Sequence, residues 1–261
     1  MIQLITCDID GTLLQDGAIQ PQPILFEQIR ALKERGVLFC PASGRQYASL
    51  RWLFEPVADD IAYMCENGAA LYKEGRLLST RSLRRDYAEA IVRDVRAIPG
   101  TELMLSGDNL CYLILRDPAF EGRLAAKTRN NIKVVRDVTE IPEDILKVSV
   151  WHSDGSDGVH AQLAPLWDGK VQVAISGAKW MDFTVATKGT GLRDLCADLS
   201  IPLENTLAFG DSYNDVPMLE AAGWSYLMRS AVPELLERFP RQCSRPEEIL
   251  QRLLDEGEAA L

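Results

Sequence analysis

The chain has 261 residues, of which 47% are hydrophobic and 25% are charged, and it carries a formal net charge of −10. Its length allows one large or two modest domains, and its composition is that of an ordinary globular protein. The negative charge argues against nonspecific nucleic-acid binding, which needs a basic face. An anionic small substrate is not excluded, because a metal ion and a few cations can reverse the local field.

Six cysteines are scattered along the chain without a CxxC pair. Several lie in apolar runs, which predicts small buried thiols in a reducing compartment. No apolar run is long enough to span a membrane, and Asp8 and Asp10 would interrupt a signal peptide. We therefore expect a cytoplasmic protein with no membrane partner.

The first third of the chain alternates predicted strands and helices. Short apolar runs predict strands at residues 2–6, 37–41 and 61–65, and apolar residues at helical spacing predict helices at 21–35 and 47–54. Two apolar pairs at 71–72 and 77–78 predict a hairpin. This alternation indicates a parallel sheet flanked by helices.

The pattern changes at about residue 83, where several segments alternate polar and apolar residues as antiparallel strands do. Strands are predicted at 110–115, 132–135, 146–151, 171–175 and 180–185, and helices at 86–98, 120–128 and 159–167. The polar segment 154–158 is expected to be a solvated turn. We predict that residues 83–183 form an inserted α+β domain.

Strands and helices alternate again after Lys188, with strands at 206–210 and 224–228 and helices at 191–199, 216–222, 232–239 and 246–254. The predicted fold class is therefore α/β. Residues 1–82 and 184–261 would form a discontinuous core around the inserted domain.

Two acidic residues one position apart, Asp8 and Asp10, follow the first predicted strand. Ligands of open α/β sheets bind beyond the carboxyl ends of the strands, so a site is expected here. Two buried like charges need compensation, which Mg²⁺ beside a substrate phosphate would provide, and Gly11 would let the backbone approach a ligand. An ordinary Asp-Gly turn explains the same residues equally well.

Three later segments offer groups of matching chemistry. Ser43 and Gly44 precede a helix, where a hydroxyl and an N–H commonly hold a phosphate oxygen. Lys188 would place a positive charge against a phosphoryl group, and Asp211 and Asp215 would complete a cation site. Taken one at a time, an N-cap serine with a turn glycine and a solvated lysine are the favoured explanations, and the two aspartates are equally explained as turn and N-cap residues.

Missing motifs argue against other chemistries. The chain has no GxxxxGK[ST] P-loop, and the glycines at 189 and 191 lack the third glycine of a dinucleotide fingerprint. His152 and His160 have no Cys or His partner at metal-ligand spacing, so neither a zinc site nor a Ser-His-Asp triad is expected.

Taken in order, four segments resemble the four motifs of the haloacid dehalogenase-like superfamily. They are Asp8-Ile9-Asp10-Gly11-Thr12, Ser43-Gly44-Arg45, Lys188 and Gly210-Asp211-Ser212-Tyr213-Asn214-Asp215. The insertion after the second motif and the segment Glu66-Asn67-Gly68-Ala69 resemble the Cof-type phosphatase branch. The resemblance covers nearly the whole chain and implies an Mg²⁺-dependent phosphatase with a Rossmann-like core and an α/β cap at 83–183.

The resemblance also implies residue roles. Asp8 would be the nucleophile that forms an aspartyl-phosphate, and Asp10 would be first the general acid and then the base. The carboxylates of Asp8 and Asp211 and the main-chain carbonyl of Asp10 would hold Mg²⁺. The phosphoryl group would be bound by the Ile9 backbone, Ser43, Gly44, Lys188 and Asn214, with Thr12 and Asp215 in support.

The implied activity is hydrolysis of a small phosphorylated metabolite, such as a sugar phosphate, by a monomer or homodimer. A phosphotransferase or phosphomutase of the same superfamily is the nearest alternative. A non-catalytic phosphometabolite-binding regulator is an alternative from another class, and the intact pair of Asp8 and Asp10 argues against it. Specificity is expected from the cap, where Arg84, Arg85 and Arg116 are candidates for a second anionic group, although solvated surface charges are the simpler explanation.

Overall fold

The computed structural model describes residues 1–126 and 128–261, with residue 260 described without its side chain. The strands are β1 (Leu4–Asp8), β2 (Leu38–Ala42), β3 (Ala62–Cys65), β4 (Ala70–Lys73), β5 (Arg76–Thr80), β6 (Thr101–Ser106), β7 (Cys111–Ile114), β8 (Ile132–Val134), β9 (Lys147–His152), β10 (Gln172–Gly177), β11 (Trp180–Thr184), β12 (Thr206–Gly210), β13 (Trp224–Met228) and β14 (Gln242–Cys243). The helices are α1 (Pro23–Glu34), α2 (Tyr47–Leu53), α3 (Arg85–Arg96), α4 (Ala119–Ala125), α5 (Asp157–Trp167), α6 (Lys188–Leu199), α7 (Val216–Ala221), α8 (Pro233–Arg238) and α9 (Pro246–Glu256).

The first of two compact units, here called the core unit, comprises residues 1–45, 50–79 and 187–261. Its sheet has the strand order β14-β13-β12-β1-β2-β3-β4-β5. β1 pairs in parallel with β12 on one side and with β2 on the other, whereas β3 and β4 are antiparallel. The central strands are buried along their whole length, which explains why they are continuous apolar runs in the sequence.

Helices cover both faces of the core unit's sheet. On one face, Leu4 of β1 belongs to the same apolar cluster as Leu192 of α6 and Met218 of α7. On the opposite face, Phe39 of β2 packs against Phe54, with ring centroids 6.1 Å apart, and α1 packs on α9. Covering both faces leaves the ends of the parallel strands as the place for a ligand.

The second unit, here called the insert unit, comprises residues 46–49 and 80–186. Its sheet has the order β10-β11-β9-β6-β7-β8, in which β7 and β8 are parallel and the other pairs are antiparallel. One face of this sheet packs on α3 and α5, where Ile91 and Trp167 join Val148 and Phe183. Phe120 of α4 packs with Leu113 in a smaller cluster on the other face.

The predicted α/β fold class is confirmed, and several predicted elements need correction. Asp8 is the last residue of β1 rather than a loop residue, α5 begins inside the predicted turn 154–158, and β14 was not predicted. The helix predicted at 120–128 is observed as α4, and residue 127 lies outside the described residues. Among the described helices, none combines the length and the apolar character that crossing a membrane requires.

Strand β6 was missed because Glu102 interrupts its apolar pattern. The Glu102 carboxylate is buried and accepts the backbone N–H groups of Arg116 at 2.8 Å and Asp117 at 2.9 Å. Partners that make a buried carboxylate tolerable lie in another part of the chain, so a local pattern does not reveal the strand.

Glu247 of α9 provides a test of the core unit's stability. Burial raises the pKa of its carboxyl above the ordinary value. A carboxyl with a raised folded-state pKa binds its proton more tightly in the folded chain, so the fold loses stability as pH rises from the unfolded-state pKa through the folded-state pKa. We expect Glu247→Gln to raise the melting temperature at neutral pH by about 2–4 °C, which corresponds to about 1 kcal/mol in a large domain.

The matched control is Glu248→Gln, since Glu248 is the exposed neighbour on the same helix turn. We expect no change from this control, and we expect the gain from Glu247→Gln to vanish below about pH 4, where the carboxyl is protonated in both states. Differential scanning calorimetry at several pH values makes the measurement. Equal melting temperatures for all three proteins at neutral pH would contradict the expectation.

Candidate active site at the carboxyl ends of the central strands

Parallel pairing brings the carboxyl ends of three strands side by side. Asp8 ends β1 and is in register with Ala42, the last residue of β2, while β12 flanks β1 on its other side. Ser43 follows β2 directly and Asp211 follows β12 directly. Three residues predicted from distant motifs, Asp8, Ser43 and Asp211, therefore lie on neighbouring strand ends at one edge of the sheet.

Lys188 lies in the first turn of α6 rather than before the helix as predicted. The helix begins with a capping box between Thr187 and Thr190, which starts it earlier than the glycines of this segment suggest. The Lys188 ammonium donates to Oδ1 of Asp8 and, at 2.5 Å, to Oδ1 of Asp215. The side chains of Lys188 and Asp215 are fully buried, and that of Asp8 is 7% exposed.

Asp215 holds the loop after β12 as well as Lys188. Its Oδ2 accepts the backbone N–H groups of Asp211 at 3.1 Å and Ser212 at 3.0 Å, while its Oδ1 accepts from Lys188. Both carboxylate oxygens are therefore engaged by the protein. This geometry suits a residue that positions the lysine and the loop.

Burial controls the protonation of this cluster. It raises the pKa of Asp8 to about 8, against the opposing effect of the Lys188 charge. Burial also raises the pKa of Asp211, and the negative charge of Asp215 adds to it. For Lys188, burial would lower the pKa, but the carboxylates of Asp215 and Asp8 outweigh it and raise the pKa above its ordinary value. The lysine therefore stays charged. It is a single cation in a cluster of three carboxyl groups, those of Asp8, Asp211 and Asp215.

The acidic cluster fits a hard divalent cation. Each of Asp8, Asp211 and Asp215 offers a carboxylate oxygen that lies within 4.8 Å of the other two. Oδ2 of Asp8 is buried and has no hydrogen-bond partner among the described residues, and Thr12 Oγ1 donates to Oδ1 of Asp211 at 3.4 Å. Oxygen donors, excess negative charge and an unpartnered buried carboxylate oxygen match the preferences of Mg²⁺.

The loop after β1 packs closely against the acidic cluster. Ile9 and Thr12 are buried, and the Ile9 carbonyl accepts the backbone N–H of Leu14 at 2.8 Å. Gly11 has φ +101°, and a Cβ atom there would lie 2.3 Å from Oδ2 of Asp211. Glycine is therefore required both by the backbone conformation and by the approach to Asp211.

Three consecutive residues with positive φ brace the second and third motifs. They are Glu66, Asn67 and Gly68, with φ values of 52°, 57° and 95°. The Asn67 N–H donates to the Ser43 carbonyl at 2.9 Å, and a Cβ atom on Gly68 would lie 2.3 Å from the carbonyl oxygen of Thr187, the residue before Lys188. From the sequence, this segment was identified as a turn and as part of the Cof-type resemblance, but its bracing role was missed. Backbone strain of this kind persists only where surrounding contacts enforce it.

The other predicted residues differ in exposure. Ser43 is buried, its N–H donates to the Met64 carbonyl at 2.9 Å, and Gly44 follows it in the same loop. Asn214 is exposed in the loop between β12 and α7. Asp10 is exposed and its carboxylate accepts two hydrogen bonds from Arg45, a contact that sequence reasoning missed.

The three arginines considered for a second anionic group are bonded within the insert unit. Arg84 pairs with Asp86 at 2.7 Å, Arg85 donates to the carbonyl of Ile141, and Arg116 donates to the carbonyl of Arg96. These contacts favour the simpler explanation of surface charges for all three.

The chain belongs to the haloacid dehalogenase-like hydrolase family, whose model matches residues 5–248. It is 26% identical over 241 residues to 5-amino-6-(5-phospho-D-ribitylamino)uracil phosphatase of Escherichia coli K12, covering 88% of this chain and 86% of that protein. It is also 26% identical to HMP-PP phosphatase of Cronobacter sakazakii, with 94% and 92% of the two chains covered. A crystal structure from Eubacterium rectale superposes with a TM-score of 0.86 at 27% identity, covering 97% of this chain and 99% of that chain.

The comparisons confirm the resemblance inferred from the four motifs and the prediction of an enzyme of the phosphatase class. The family match spans nearly the whole chain, including all four motifs.

The bracing turn generates a prediction about Gly68. Gly68→Ala adds a Cβ atom where the Thr187 carbonyl already lies. We therefore expect the free energy of unfolding to fall by about 1–3 kcal/mol and phosphatase activity to be lost. The matched control is Gly75→Ala, because Gly75 has φ +75° but open space around the missing Cβ atom. Urea denaturation compares the two variants, and an equal loss of stability in both would show that packing against Thr187 contributes nothing.

Proposed function

We propose that the protein is an Mg²⁺-dependent phosphoric monoester hydrolase that acts on a small phosphorylated metabolite through an aspartyl-phosphate on Asp8. The observation that carries the proposal is the buried ammonium of Lys188 between Asp8 and Asp215, beside Asp211 and at the carboxyl ends of the central strands. A carboxylate repels an anionic ester unless cations cancel the repulsion and spread the charge of the transition state. The site contains one such cation in Lys188 and oxygen ligands for another.

In the proposed reaction, an Asp8 oxygen attacks phosphorus while Asp10 protonates the leaving oxygen. Asp10 then takes a proton from water as the water oxygen attacks phosphorus, which restores Asp8. The carboxylates of Asp8 and Asp211 and the Asp10 carbonyl would hold Mg²⁺, which would supply positive charge to offset that of the phosphoryl group. Enzymes accelerate phosphate monoester hydrolysis by up to ~10²¹-fold, and an enhancement of this size is consistent with covalent, acid–base and metal assistance acting together.

The phosphoryl group would be held by backbone and side-chain donors around the nucleophile. The proposed donors are the Ile9 backbone, Ser43, Gly44, Lys188 and Asn214. Thr12 and Asp215 support the site through their contacts with Asp211 and Lys188.

The substrate class rests on the named relatives, which are phosphatases of a phosphoribitylaminouracil and of HMP-PP. We propose that this chain likewise hydrolyses a small phosphorylated metabolite, that residues 83–183 select it, and that the enzyme works in the cytoplasm. Six buried cysteines, all free thiols, support a reducing compartment. A panel of phosphorylated metabolites assayed with Mg²⁺ identifies the substrate, and transfer of phosphate to a second metabolite in preference to water would indicate a phosphotransferase instead.

The nucleophile assignment predicts the effect of Asp8→Asn. An amide is a poor nucleophile for phosphorus, so we expect release of phosphate from p-nitrophenyl phosphate to fall below detection, with the fold retained. The control is Asp16→Asn, because Asp16 is exposed and its backbone φ of 54° is one that asparagine tolerates. Unchanged turnover by Asp8→Asn would refute the assignment.

The proposed metal site predicts a stability change that does not depend on activity. Ligand that binds only the folded state adds about 2.7 kcal/mol at a hundredfold excess over Kd, so Mg²⁺ should raise the melting temperature of the wild-type protein. We expect Asp211→Asn to lose most of this increase and Asp16→Asn to keep it. The same increase in wild type and Asp211→Asn, measured by thermal denaturation with and without Mg²⁺, would remove Asp211 from the metal site.

A further inference from the structure

The guanidinium of Arg45 donates two hydrogen bonds to the carboxylate of Asp10, the proposed general acid. Its Nε donates to Oδ2 of Asp10 at 3.0 Å, and its Nη2 donates to Oδ1 of Asp10 at 2.5 Å. The reaction described above gives Arg45 no role, although it directly follows Ser43 and Gly44 in the second motif.

The backbone at Arg45 is fixed on both sides. Its N–H donates to Ser43 Oγ at 3.2 Å, and its carbonyl accepts the N–H of Glu66 at 3.1 Å. Glu66 is the first residue of the strained turn in which three residues have positive φ. The backbone position from which the Arg45 side chain extends is therefore fixed by that turn.

The backbone around Asp10 is fixed as well. Asp10 forms an isolated bridge with Leu14, and the N–H of the next residue, Gly11, donates to the Leu14 carbonyl at 3.0 Å. Two anchored backbone segments, 35 positions apart in the chain, therefore meet through one guanidinium and one carboxylate.

Stability does not explain this pairing. The side chains of Asp10 and Arg45 are 58% and 33% exposed, and ion pairs with such exposure contribute only about 0–1 kcal/mol. What the planar fork of an arginine adds is geometry, because two parallel hydrogen bonds fix the plane of the carboxyl group, which a lysine would not do.

We propose that Arg45 is a positioning residue that sets the orientation of the Asp10 carboxyl for proton transfer to the leaving oxygen. The proposal rests on the proposed function, in which Asp10 is the general acid. As the bond between Asp8 and phosphorus forms and the ester P–O bond breaks, the leaving oxygen takes the proton of Asp10, and the resulting carboxylate remains in the Arg45 fork. The pairing thus acts in the step that breaks the ester, and its importance grows as the leaving group becomes less acidic.

The test measures how the rate depends on the leaving group. Substituted phenyl phosphates, from p-nitrophenyl to unsubstituted phenyl, are mixed with wild type, Arg45→Ala and Arg45→Lys in Mg²⁺, and the initial burst of released phenol is followed. A general acid contributes typically about 10²–10⁴-fold and matters least for nitrophenolate. We expect both variants to lose at least about tenfold more rate on phenyl phosphate than on p-nitrophenyl phosphate, relative to wild type.

A matched control is Arg51→Ala, since Arg51 forms a comparable exposed pair with Asp59 at 2.7 Å and should leave the ratio of the two rates unchanged. Equal losses on both esters in Arg45→Ala, or full recovery of the wild-type ratio by Arg45→Lys, would overturn the proposal, because positioning requires the fork and not the charge alone.

Asp10→Asn in the same series separates this proposal from the proposed function. A steep leaving-group dependence in Asp10→Asn with a wild-type dependence in Arg45→Ala would refute only the role of Arg45. A wild-type dependence in Asp10→Asn would refute Asp10 as the general acid, and the proposal for Arg45 would fail with it.

Discussion

A single ammonium group buried between two carboxylates governs the chemistry and the architecture of this site. Lys188 and Asp215 are fully buried and Asp8 nearly so, and removing one partner of such a network typically costs about 3–5 kcal/mol. With Asp211 included, three carboxylates surround one cation. The carboxylates keep the lysine charged, and burial raises the pKa of Asp8. The excess of negative charge that remains is of the kind that a divalent cation would neutralise.

The fold makes this arrangement possible by bringing together segments that are far apart in the chain. β1 lies between β2 and β12, so their carboxyl ends bring Asp8, the Ser43 loop and Asp211 to one edge, where we propose the nucleophile, the phosphate-binding loop and a metal ligand. The first turn of α6 adds the lysine. The turn at Glu66, Asn67 and Gly68 contacts both the Ser43 loop and the residue before Lys188. These contacts keep the three residues at positive φ, and the turn in return fixes the positions of the two segments.

The parts of this structure that depend on local pattern were predictable. The buried parallel strands are apolar runs, and four ordered motifs identified the superfamily and the candidate site. Strand β6 (Thr101–Ser106) was missed because Glu102 is satisfied by partners elsewhere in the insert unit. Lys188 was placed before its helix because the glycines at 189 and 191 do not suggest a helix start. The helix starts earlier because Thr187 and Thr190 form a capping box. The pairing of Arg45 with Asp10 was missed because nothing in either local sequence marks a partner 35 positions away.

The proposed reaction depends most directly on Asp8 carrying the phosphoryl group during turnover. In the proposed reaction, Asp10→Asn would slow the second step by removing the base. Reaction of this variant with p-nitrophenyl phosphate followed by rapid acid quenching should then trap the intermediate for peptide mapping by mass spectrometry. We expect one phosphoryl group on the peptide that contains Asp8, located at that residue by fragmentation. A phosphoryl group on another side chain would contradict this expectation.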